Sequence, residues 1–404
     1  MNNLKYLYFC SPNFCEMNKE ENPFVVIGHI KPAYFCDRKA ESERLIKLLC
    51  NNNNVLLKSD RRMGKTGLIQ YCFDKPEIKK NYYTFFFDIL HTSCLQELVH
   101  ELGRAIYGQT VSMGRKMALQ LAQTLKSING KMSFDANTGL PEFSLSLGDI
   151  EQPEHTLDEI FQYLQNANRP CIVAIDEFQQ IDKYPEKNIE ALLRGHIQRV
   201  DNCHFIFAGS QRHLLNMMFE SEKKPFYKSA DNMDLGPIAR SVYVDFITQM
   251  FADKGKSIQD DTAGQVYDLF EGHTYYVQKT MNEAFANTSK GGDCDSETLL
   301  QSIYNILDSN DLHYREMLSN ITIRQKELLY AIAIEGKATQ ITSSSFINRH
   351  KLLSASSVQA ALKKLTATEI VIEEGKQYRI SDRFLQLWIL RLLGFALPLY
   401  NPKC

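Results

Sequence analysis

The stretch SDRRMGKT, residues 59–66, follows the short apolar run VLLK and could bind the phosphates of a nucleotide. A phosphate-binding loop begins with glycine, continues through four free positions and ends in Gly-Lys-Ser/Thr. Gly64, Lys65 and Thr66 match that ending, whereas Ser59 stands where the first glycine is expected. The match is partial, so the neighbouring elements must decide whether the loop works.

This loop would neutralise and orient phosphate oxygens. Its backbone amides converge on the phosphates, and the positive end of the next helix adds to their attraction. Lys65 reaches the outer phosphates, and the Thr66 hydroxyl can bind Mg²⁺. The continuation GKTGLIQYCF has apolar residues at helical spacing. The sequence therefore predicts a strand, a phosphate-binding loop and a helix in that order.

Two adjacent carboxylates, Asp176 and Glu177, follow the uninterrupted apolar run IVAI. Such a run is typical of a strand buried on both faces of a parallel sheet. Asp176 can hold the hydration shell of Mg²⁺ opposite Thr66, and Glu177 can polarise the water that attacks a γ-phosphate. A solvated acidic strand end is the ordinary alternative. The loop upstream favours the catalytic interpretation.

Further strands and helices alternate around these motifs. YYTFFFDIL, residues 82–90, and CHFIFAGSQRH, residues 203–213, are typical of buried strands, and SCLQELVHELGRAIYG predicts a helix. The alternation predicts a doubly wound parallel sheet. The last strand ends in Gly209, Ser210, Gln211 and Arg212, where small polar side chains such as Ser210 and Gln211 could sense the γ-phosphate beside Glu177. A plain strand-end turn explains these two residues almost as well.

The composition fits a globular protein of two or three domains. The 404 residues are 44% hydrophobic and 23% charged, which is enough to bury a sizeable core. The net charge of -2 excludes a strongly basic chain, so any contact with nucleic acid must come from a local patch. The cysteines occur singly, which favours free thiols in a reducing cytoplasm. The sequence has no apolar run long enough to span a membrane.

Together these motifs resemble the archaeal-type ATPase family, a branch of the P-loop NTPases related to AAA+ and STAND switch proteins. The resemblance rests on the Arg-Arg-x-Gly-Lys-Thr loop, on AIDEFQ and FIFAGSQRHLL, and on PFVVIGHIKPAYFCDRKAESERLIKLL, PFYKSADNMDLGPI and EGHTYYVQ. It extends from about Pro23 to the C-terminus. It implies an α/β core with a parallel sheet and helices on both faces, a helical lid and a C-terminal winged helix, with ATP and Mg²⁺ bound at the core.

The resemblance also implies roles for individual residues. Glu177 is the catalytic base and Lys65 the phosphate lysine, and the sensor position falls on Ser210 or Gln211. The residues implied for magnesium are Thr66 and Asp176. The residues implied for ATP are Ser59, Asp60, Arg61, Arg62, Met63, Gly64, Lys65, Thr66 and Gly67, with Tyr34 and Phe35 where the chain passes the adenine. Packing at a strand end explains Tyr34 and Phe35 equally well.

Three departures from the family pattern bear on hydrolysis. Ser59 replaces glycine, and Asp60 puts an acidic side chain near an anionic ligand. Serine preserves the loop unless its position needs a positive φ, and an outward-facing Asp60 is screened by solvent. The lid stretch GHTYYVQKTMNEAF lacks the arginine that related AAA+ lids carry. We therefore expect slow hydrolysis unless a partner supplies positive charge.

The C-terminal segment predicts a winged helix. TIRQKELLYAIAIEG, SSSFINRHK and SASSVQAALKKLTATEIV indicate three helices, with a serine cap on the second. IEEGKQYRISDRFLQLWIL is interpreted as a two-stranded wing that turns at Glu374 and Gly375. The third helix carries Lys363 and Lys364, which are typical of a solvated face. An intramolecular or protein-docking role is therefore favoured over sequence-specific DNA binding.

Four regions are expected along the chain. They are a flexible tail at 1–22 with translation starting at Met1 or Met17, the ATPase core at 23–237, the helical lid at 238–312 and the winged-helix domain at 313–404. A polar insertion of unknown purpose interrupts the core at about 109–153. Within it, KMSFDANTGLPEFSLSLG predicts a hairpin that turns at residues 137–139.

Three functions stay open at this point. The favoured one is a slow Mg²⁺-dependent ATPase that acts as a molecular switch, with ATP as its ligand and a protein client or further copies of the chain as partners, and no membrane. The second is a DNA-associated regulator with nucleotide as a structural cofactor, which would need a broader basic surface than RHK and KK provide. The third is a pseudo-ATPase that binds ATP without hydrolysis, as Ser59, Asp60 and the missing lid arginine suggest.

Overall fold

The described part of the chain contains both strands and helices. The computed structural model describes residues 21–26, 28, 30–113, 121, 123–125, 127, 132–134, 141–143, 147 and 150–397. The strands are β1 (Val55–Lys58), β2 (Tyr83–Asp88), β3 (Met132–Phe134), β4 (Pro141–Phe143), β5 (Cys171–Asp176), β6 (Cys203–Gly209), β7 (Asp231–Asp234), β8 (Ser257–Ile258), β9 (Asp293–Cys294), β10 (Ala338–Thr339), β11 (Val371–Glu374) and β12 (Gln377–Ile380).

The α-helices are α1 (Lys39–Cys50), α2 (Lys65–Asp74), α3 (Pro76–Lys79), α4 (Leu95–Met113), α5 (Pro153–Gln165), α6 (Ile189–Arg199), α7 (Arg212–Glu220), α8 (Arg240–Ala252), α9 (Asp260–Leu269), α10 (Thr274–Asn287), α11 (Ser296–Ser309), α12 (Asp311–Ser319), α13 (Ile323–Glu335), α14 (Ser344–Arg349), α15 (Ala355–Ala367) and α16 (Arg383–Leu392). Short 3₁₀ helices cover Pro32–Tyr34 and Phe178–Lys183. None of these described helices has the length and apolar character needed to cross a lipid bilayer.

The chain divides into two compact units. The first, called the sheet unit, comprises Gly28–Phe246 and Gly264–Val277. The second, called the helical unit, comprises the described residues of Met1–Ile27, Ile247–Ala263 and Gln278–Cys404. The domain boundaries expected after residues 22, 237 and 312 stay predictions.

The sheet unit is built on a parallel sheet with the strand order β2-β5-β6-β1-β7. Because β6 lies between β5 and β1, the carboxyl ends of these three strands meet at one edge of the sheet. The parallel sheet predicted from the sequence is confirmed. The edge strand β7 was not predicted, because its residues DNMD are polar and mostly exposed and only pairing with β1 makes them a strand.

Helices cover both faces of this sheet, as predicted. Successive side chains of a strand point to opposite faces. Val173 and Phe205 therefore pack in a cluster with residues of α4, α5, α6 and α7, whereas Ile172 and Ile206 pack in a second cluster with α1, α2 and α3. Burial on both faces explains the uninterrupted apolar runs in β5 and β6.

The polar insertion contains the predicted hairpin. β3 and β4 pair antiparallel, with Met132 opposite Phe143 and Phe134 opposite Pro141. The turn expected at residues 137–139 lies outside the described residues, as do residues 1–20 of the predicted tail.

The helical unit contains the predicted winged helix, in which α13, α14 and α15 precede the wing strands β11 and β12. Side chains of Thr322, Ser343 and Ser354 cap the three helices. The wing turns at Gly375 and Lys376, both at positive φ, and β10 adds a third strand beside β12.

One prediction in the winged helix was wrong. The stretch RFLQLWIL belongs to helix α16 and does not continue the wing. The side chain of Asp382 accepts hydrogen bonds from the N–H groups of Phe384 and Leu385 and so caps a helix there. The wing therefore ends at Ile380.

Candidate nucleotide-binding site

The loop between β1 and α2 starts from a buried serine. The Ser59 N–H donates to the carbonyl oxygen of Gly209 at 3.3 Å, and its hydroxyl donates to the carbonyl oxygen of Asp60 at 2.8 Å. The residues of this loop at positive φ are Arg62, at 67°, and Gly64, at 90°. Ser59 is not among them, so its backbone does not require the glycine expected there.

Lys65 opens helix α2 with its side chain turned into the protein. The residue is 6% exposed, and its Nζ donates to the Ser59 hydroxyl at 3.3 Å. Burial lowers the pKa of the Lys65 ammonium, while the nearby Glu177 and Asp176 oppose that shift. The Lys65 ammonium lies where solvent screens it poorly, so its attraction to an anionic ligand is stronger than at the surface.

A hydrogen bond joins the two motifs across 110 residues of sequence. The Thr66 hydroxyl donates to Oδ2 of Asp176 at 2.7 Å, and Oδ1 accepts the N–H of Glu177 at 3.0 Å. These hydroxyl and carboxylate oxygens are the hard ligands that Mg²⁺ prefers. No cluster of three His, Cys, Asp or Glu side chains that could hold a metal occurs among the described residues. A cation here would therefore take its other ligands from phosphate oxygens and water.

Glu177 follows β5 in a left-handed backbone conformation, with φ of 54°. Its Oε2 accepts a hydrogen bond from the Ser210 hydroxyl at 2.8 Å. The same oxygen accepts a second hydrogen bond from Nε2 of Gln179. The predicted base and one of the two predicted sensor residues are thus in direct contact at the carboxyl ends of β5 and β6.

Comparison with solved structures assigns the fold. The Walker-type ATPase of Pyrococcus abyssi superposes with a TM-score of 0.60 at 19% identity, covering 91% of this chain and 99% of that one. The chain has the fold of a Walker-type ATPase. The ORC2 protein of Aeropyrum pernix in its ADPNP–ADP complexes gives 0.55 at 12% identity, covering 93% and 99%. The ORC1 protein of that organism in complex with DNA gives 0.50 at 13% identity, covering 92% and 96%.

The family model described as a probable winged helix domain matches residues 312–391. No curated protein matches the sequence. The expected resemblance to the archaeal-type ATPases is thus confirmed as a likeness of fold, with a winged helix at the C-terminal end.

Within this Walker-type fold, Asp60 has a cationic partner that the sequence did not reveal. Nε of Arg212 lies 3.2 Å from Oδ1 of Asp60, and Nη1 of the same arginine lies 3.4 Å from Oδ1 of Asp234. Arg212 begins α7, immediately after the strand end that carries Ser210. The acidic side chain that departs from the loop pattern is therefore half of an ion pair.

The middle of the loop is bonded to the start of α10. The carbonyl oxygen of Arg62 accepts the N–H of Tyr275 at 3.1 Å, and that of Met63 accepts the Thr274 hydroxyl at 3.2 Å. The guanidinium of Arg62 lies 4.3 Å from the centre of the Tyr275 ring. Such a contact is a cation–π interaction. Buried Arg38 donates to the Met63 carbonyl as well, at 3.0 Å.

The structure also places the remaining predicted site residues. Phe35 stacks on Tyr71 of α2 at 4.1 Å, and its ring lies 3.7 Å from where a Cβ of Gly67 would stand. Tyr34 lies in the preceding 3₁₀ helix, with the Lys31 ammonium 6.0 Å from its ring. The exposed side chain of Arg61 lies in the loop, and Gln211 occupies the N-cap position of α7.

Sequence reasoning gave no individual role to four residues that touch this site: Arg38, Gln179, Arg212 and Thr274. Gln179 stood at the end of the quoted AIDEFQ motif, where a polar residue two positions after Glu177 was a usable signal. The other three stood in stretches quoted for the resemblance, but their contacts with the loop had no sequence signal, because each reaches it from a distant part of the chain.

Proposed function

We propose that this chain binds ATP and hydrolyses it slowly with Mg²⁺, acting as a molecular switch of the AAA+ and STAND type. The observation that carries the proposal is the hydrogen bond between Thr66 and Asp176. It brings a phosphate-binding loop and an acidic strand end together on a Walker-type fold. An isolated Gly-Lys-Thr triplet or an isolated acidic pair would carry no such implication.

In the proposed reaction the chain binds ATP through the amides of the loop and the ammonium of Lys65. Tyr34 and Phe35 would contact the adenine. Glu177 accepts a proton from a water molecule as the water oxygen attacks the γ-phosphorus. The bond from that phosphorus to the bridging oxygen breaks, ADP leaves with the electron pair, and the proton is released to solvent or phosphate. Ser210 or Gln211 would sense the γ-phosphate.

Thr66 and Asp176 are the residues that would hold Mg²⁺. Their hydroxyl and carboxylate oxygens suit this cation. When bound, Mg²⁺ neutralises charge on the phosphate oxygens.

Slow turnover follows from the charges around the loop. Arg62 is engaged with Tyr275, and Arg212 with Asp60 and Asp234. Neither arginine can approach the γ-phosphate without giving up a contact. Because phosphoryl transfer depends on positive charge near the leaving group, we expect a low basal rate that a partner can raise.

The switch role is supported by the bonds between the loop and α10. Carbonyl oxygens of Arg62 and Met63 hold Tyr275 and Thr274 at the start of this helix. A ligand that shifts the loop away from α10 must move these groups with it or break their hydrogen bonds. Nucleotide state is then transmitted to the region predicted as the lid, residues 238–312, and from there to a protein client or another copy of the chain.

A second candidate function is binding of DNA by the winged helix. It is favoured by the family match at residues 312–391 and by the exposed Lys363 and Lys364 on α15. The wing adds no net positive charge, because Glu374 pairs with Arg379 and the exposed Glu373 offsets the exposed Lys376. We therefore propose DNA binding only as the alternative.

The test is ATP turnover by the purified full chain, with and without Mg²⁺ and with and without duplex DNA. We expect slow Mg²⁺-dependent release of phosphate that Glu177→Gln lowers to a small residual rate while ATP still binds. Binding without turnover in the parent protein would identify a pseudo-ATPase. Turnover that appears only with DNA would favour the DNA-associated alternative, and failure to bind ATP would refute the proposal.

A further inference from the structure

Gln179 is a buried polar residue to which neither the resemblance nor the proposed reaction gives a role. It lies in the 3₁₀ helix after β5 and is 2% exposed. Its neighbour Phe178 is fully buried, with its ring 4.7 Å from that of Phe207 and 5.3 Å from that of Phe226. This aromatic packing fixes the start of the 3₁₀ helix and so holds Gln179 beside Gly209, the last residue of β6.

Charge determines how the amide of Gln179 is oriented. A carboxylate only accepts hydrogen bonds, so the NH₂ group of the amide must face Oε2 of Glu177, to which it donates. The amide oxygen Oε1 then points away from the carboxylate. It has no hydrogen-bond partner within the described residues, although it is buried. A buried amide in that state is costly, which indicates a role other than packing.

Gly209 makes room for this amide. A Cβ at Gly209 would overlap Oε1 of Gln179 and would lie 2.9 Å from Cδ1 of Leu215 and 3.2 Å from Cδ of Gln179. Gly209 is not among the glycines at positive φ, so space and not backbone conformation is what excludes a side chain. The carbonyl of Gly209 also binds the N–H of Ser59. The amide therefore contacts the carboxylate of Glu177 on one side and, on the other, the glycine whose carbonyl binds the first residue of the phosphate loop.

Both donors reach the same oxygen of Glu177. The Ser210 hydroxyl and the Gln179 amide each donate to Oε2. Among the described residues, none donates a hydrogen bond to Oε1 of this carboxylate. One oxygen is thus anchored from two sides, and the other is left to accept the proton of a water molecule. A general base must be held in this way, because its rate depends on the placement of the accepting oxygen.

We propose that Gln179 is a positioning residue for hydrolysis, which fixes Glu177 through Oε2 and leaves Oε1 as the proton acceptor. The inference rests on the proposed function, since it requires that Glu177 act as the base. Gln179 touches neither the loop lysine nor the Thr66 hydroxyl in the contacts described above. Its loss should therefore slow the chemical step and leave the binding of ATP intact.

The principal experiment compares Gln179→Leu with Gln180→Leu in the full chain. Gln180 is the adjacent glutamine of the same 3₁₀ helix and donates to the carbonyl of Thr92 at 2.9 Å, so its variant controls for disturbance of that helix. We expect Gln179→Leu to lower kcat roughly 10- to 100-fold, with Kd for ATP within about threefold of the parent value. Gln180→Leu should match the parent in both.

Two further variants protect the test against a misfolded protein. Gly209→Ala displaces the amide with the Gln179 side chain still present and should lower kcat while ATP still binds; its Cβ also lies 2.9 Å from Cδ1 of buried Leu215, so its melting temperature should fall as well. In the Glu177→Gln background, Gln179→Leu should cause no further loss of residual turnover, because it acts through Glu177. A merely structural effect would add to that of Glu177→Gln.

The outcomes separate the two proposals. Turnover in Gln179→Leu equal to or above the parent rate overturns the positioning role, as does a parallel loss of ATP affinity and melting temperature. If the parent protein itself shows no turnover, the proposed function fails and this inference fails with it. A parent that hydrolyses ATP, loses activity in Glu177→Gln and tolerates Gln179→Leu refutes the inference alone.

Discussion

Replacement of Lys65 by methionine should weaken ATP binding strongly without unfolding the protein. The side chain is 6% exposed and surrounded by Ser59, Asp176 and Glu177. Methionine fills nearly the same volume, so no large cavity forms. It removes a desolvated ammonium, which favours folding, but leaves two carboxylates with less positive charge nearby. We expect these effects to offset each other to within about 1 kcal/mol.

The loss of affinity can be worked from the charge. An ammonium about 4 Å from one phosphate charge contributes roughly 4 kcal/mol at an effective dielectric constant of about 20. Even if desolvation cancels part of that, affinity should fall about 100-fold or more. At an ATP concentration of about 100 Kd, ligand binding stabilises the parent by about 2.7 kcal/mol, which raises Tm by about 5–11 °C for a domain of this size. The same concentration should raise the Tm of Lys65→Met by only about 1–2 °C.

The assay is a thermal melt of each protein with and without Mg-ATP, supported by calorimetric titration. Lys79→Met is the matched control, because that lysine is exposed, lies on α3 and pairs only with Asp74 at 3.4 Å among the contacts described. It should retain the full ATP-induced shift. The reasoning is refuted if Lys65→Met keeps the parent's ATP-induced shift.

Three further predictions concern single residues. Asp176→Asn should make ATP affinity nearly independent of Mg²⁺, and a titration at several MgCl₂ concentrations that matches the parent would contradict the metal role. Ser59→Gly should leave ATP affinity within about threefold and lower stability by less than about 1 kcal/mol, since Ser59 has an ordinary φ; a gain above about tenfold in affinity would mean that the loop is degraded. Burial lowers the pKa of His204 below its ordinary 6.5, so the folded state resists protonation and the free energy of unfolding should fall as the pH falls below 6.5. Urea unfolding at pH 7.5 and pH 5 should show a smaller fall for His204→Gln, and an equal fall in both proteins would exclude His204 as a cause.

Local sequence patterns predicted much of the fold. The loop SDRRMGKT and the run ending in Asp176 and Glu177 predicted a strand end, a helix start and a buried strand, because each depends on residues adjacent in sequence. From these patterns Asp176 was expected opposite Thr66, and the two side chains are hydrogen-bonded. The serine caps and the wing turn are local too. The helix α16 was missed because its dense apolar sequence also fits a buried strand, and only the Asp382 cap separates the two.

What the sequence could not determine is which distant groups meet at the loop. Three contacts join residues that share no sequence period. Asp60 pairs with Arg212, the Met63 carbonyl accepts from Thr274, and the Gln179 amide lies against Gly209. The first and the third depend on the order of strands in the sheet, which places β6 between β5 and β1 and so brings three chain segments to one edge, whereas the second depends on where α10 packs. The edge strand β7 depends on the same pairing, since its polar residues become a strand only beside β1. Strand order is a property of the packed core as a whole, and tertiary structure alone decides it.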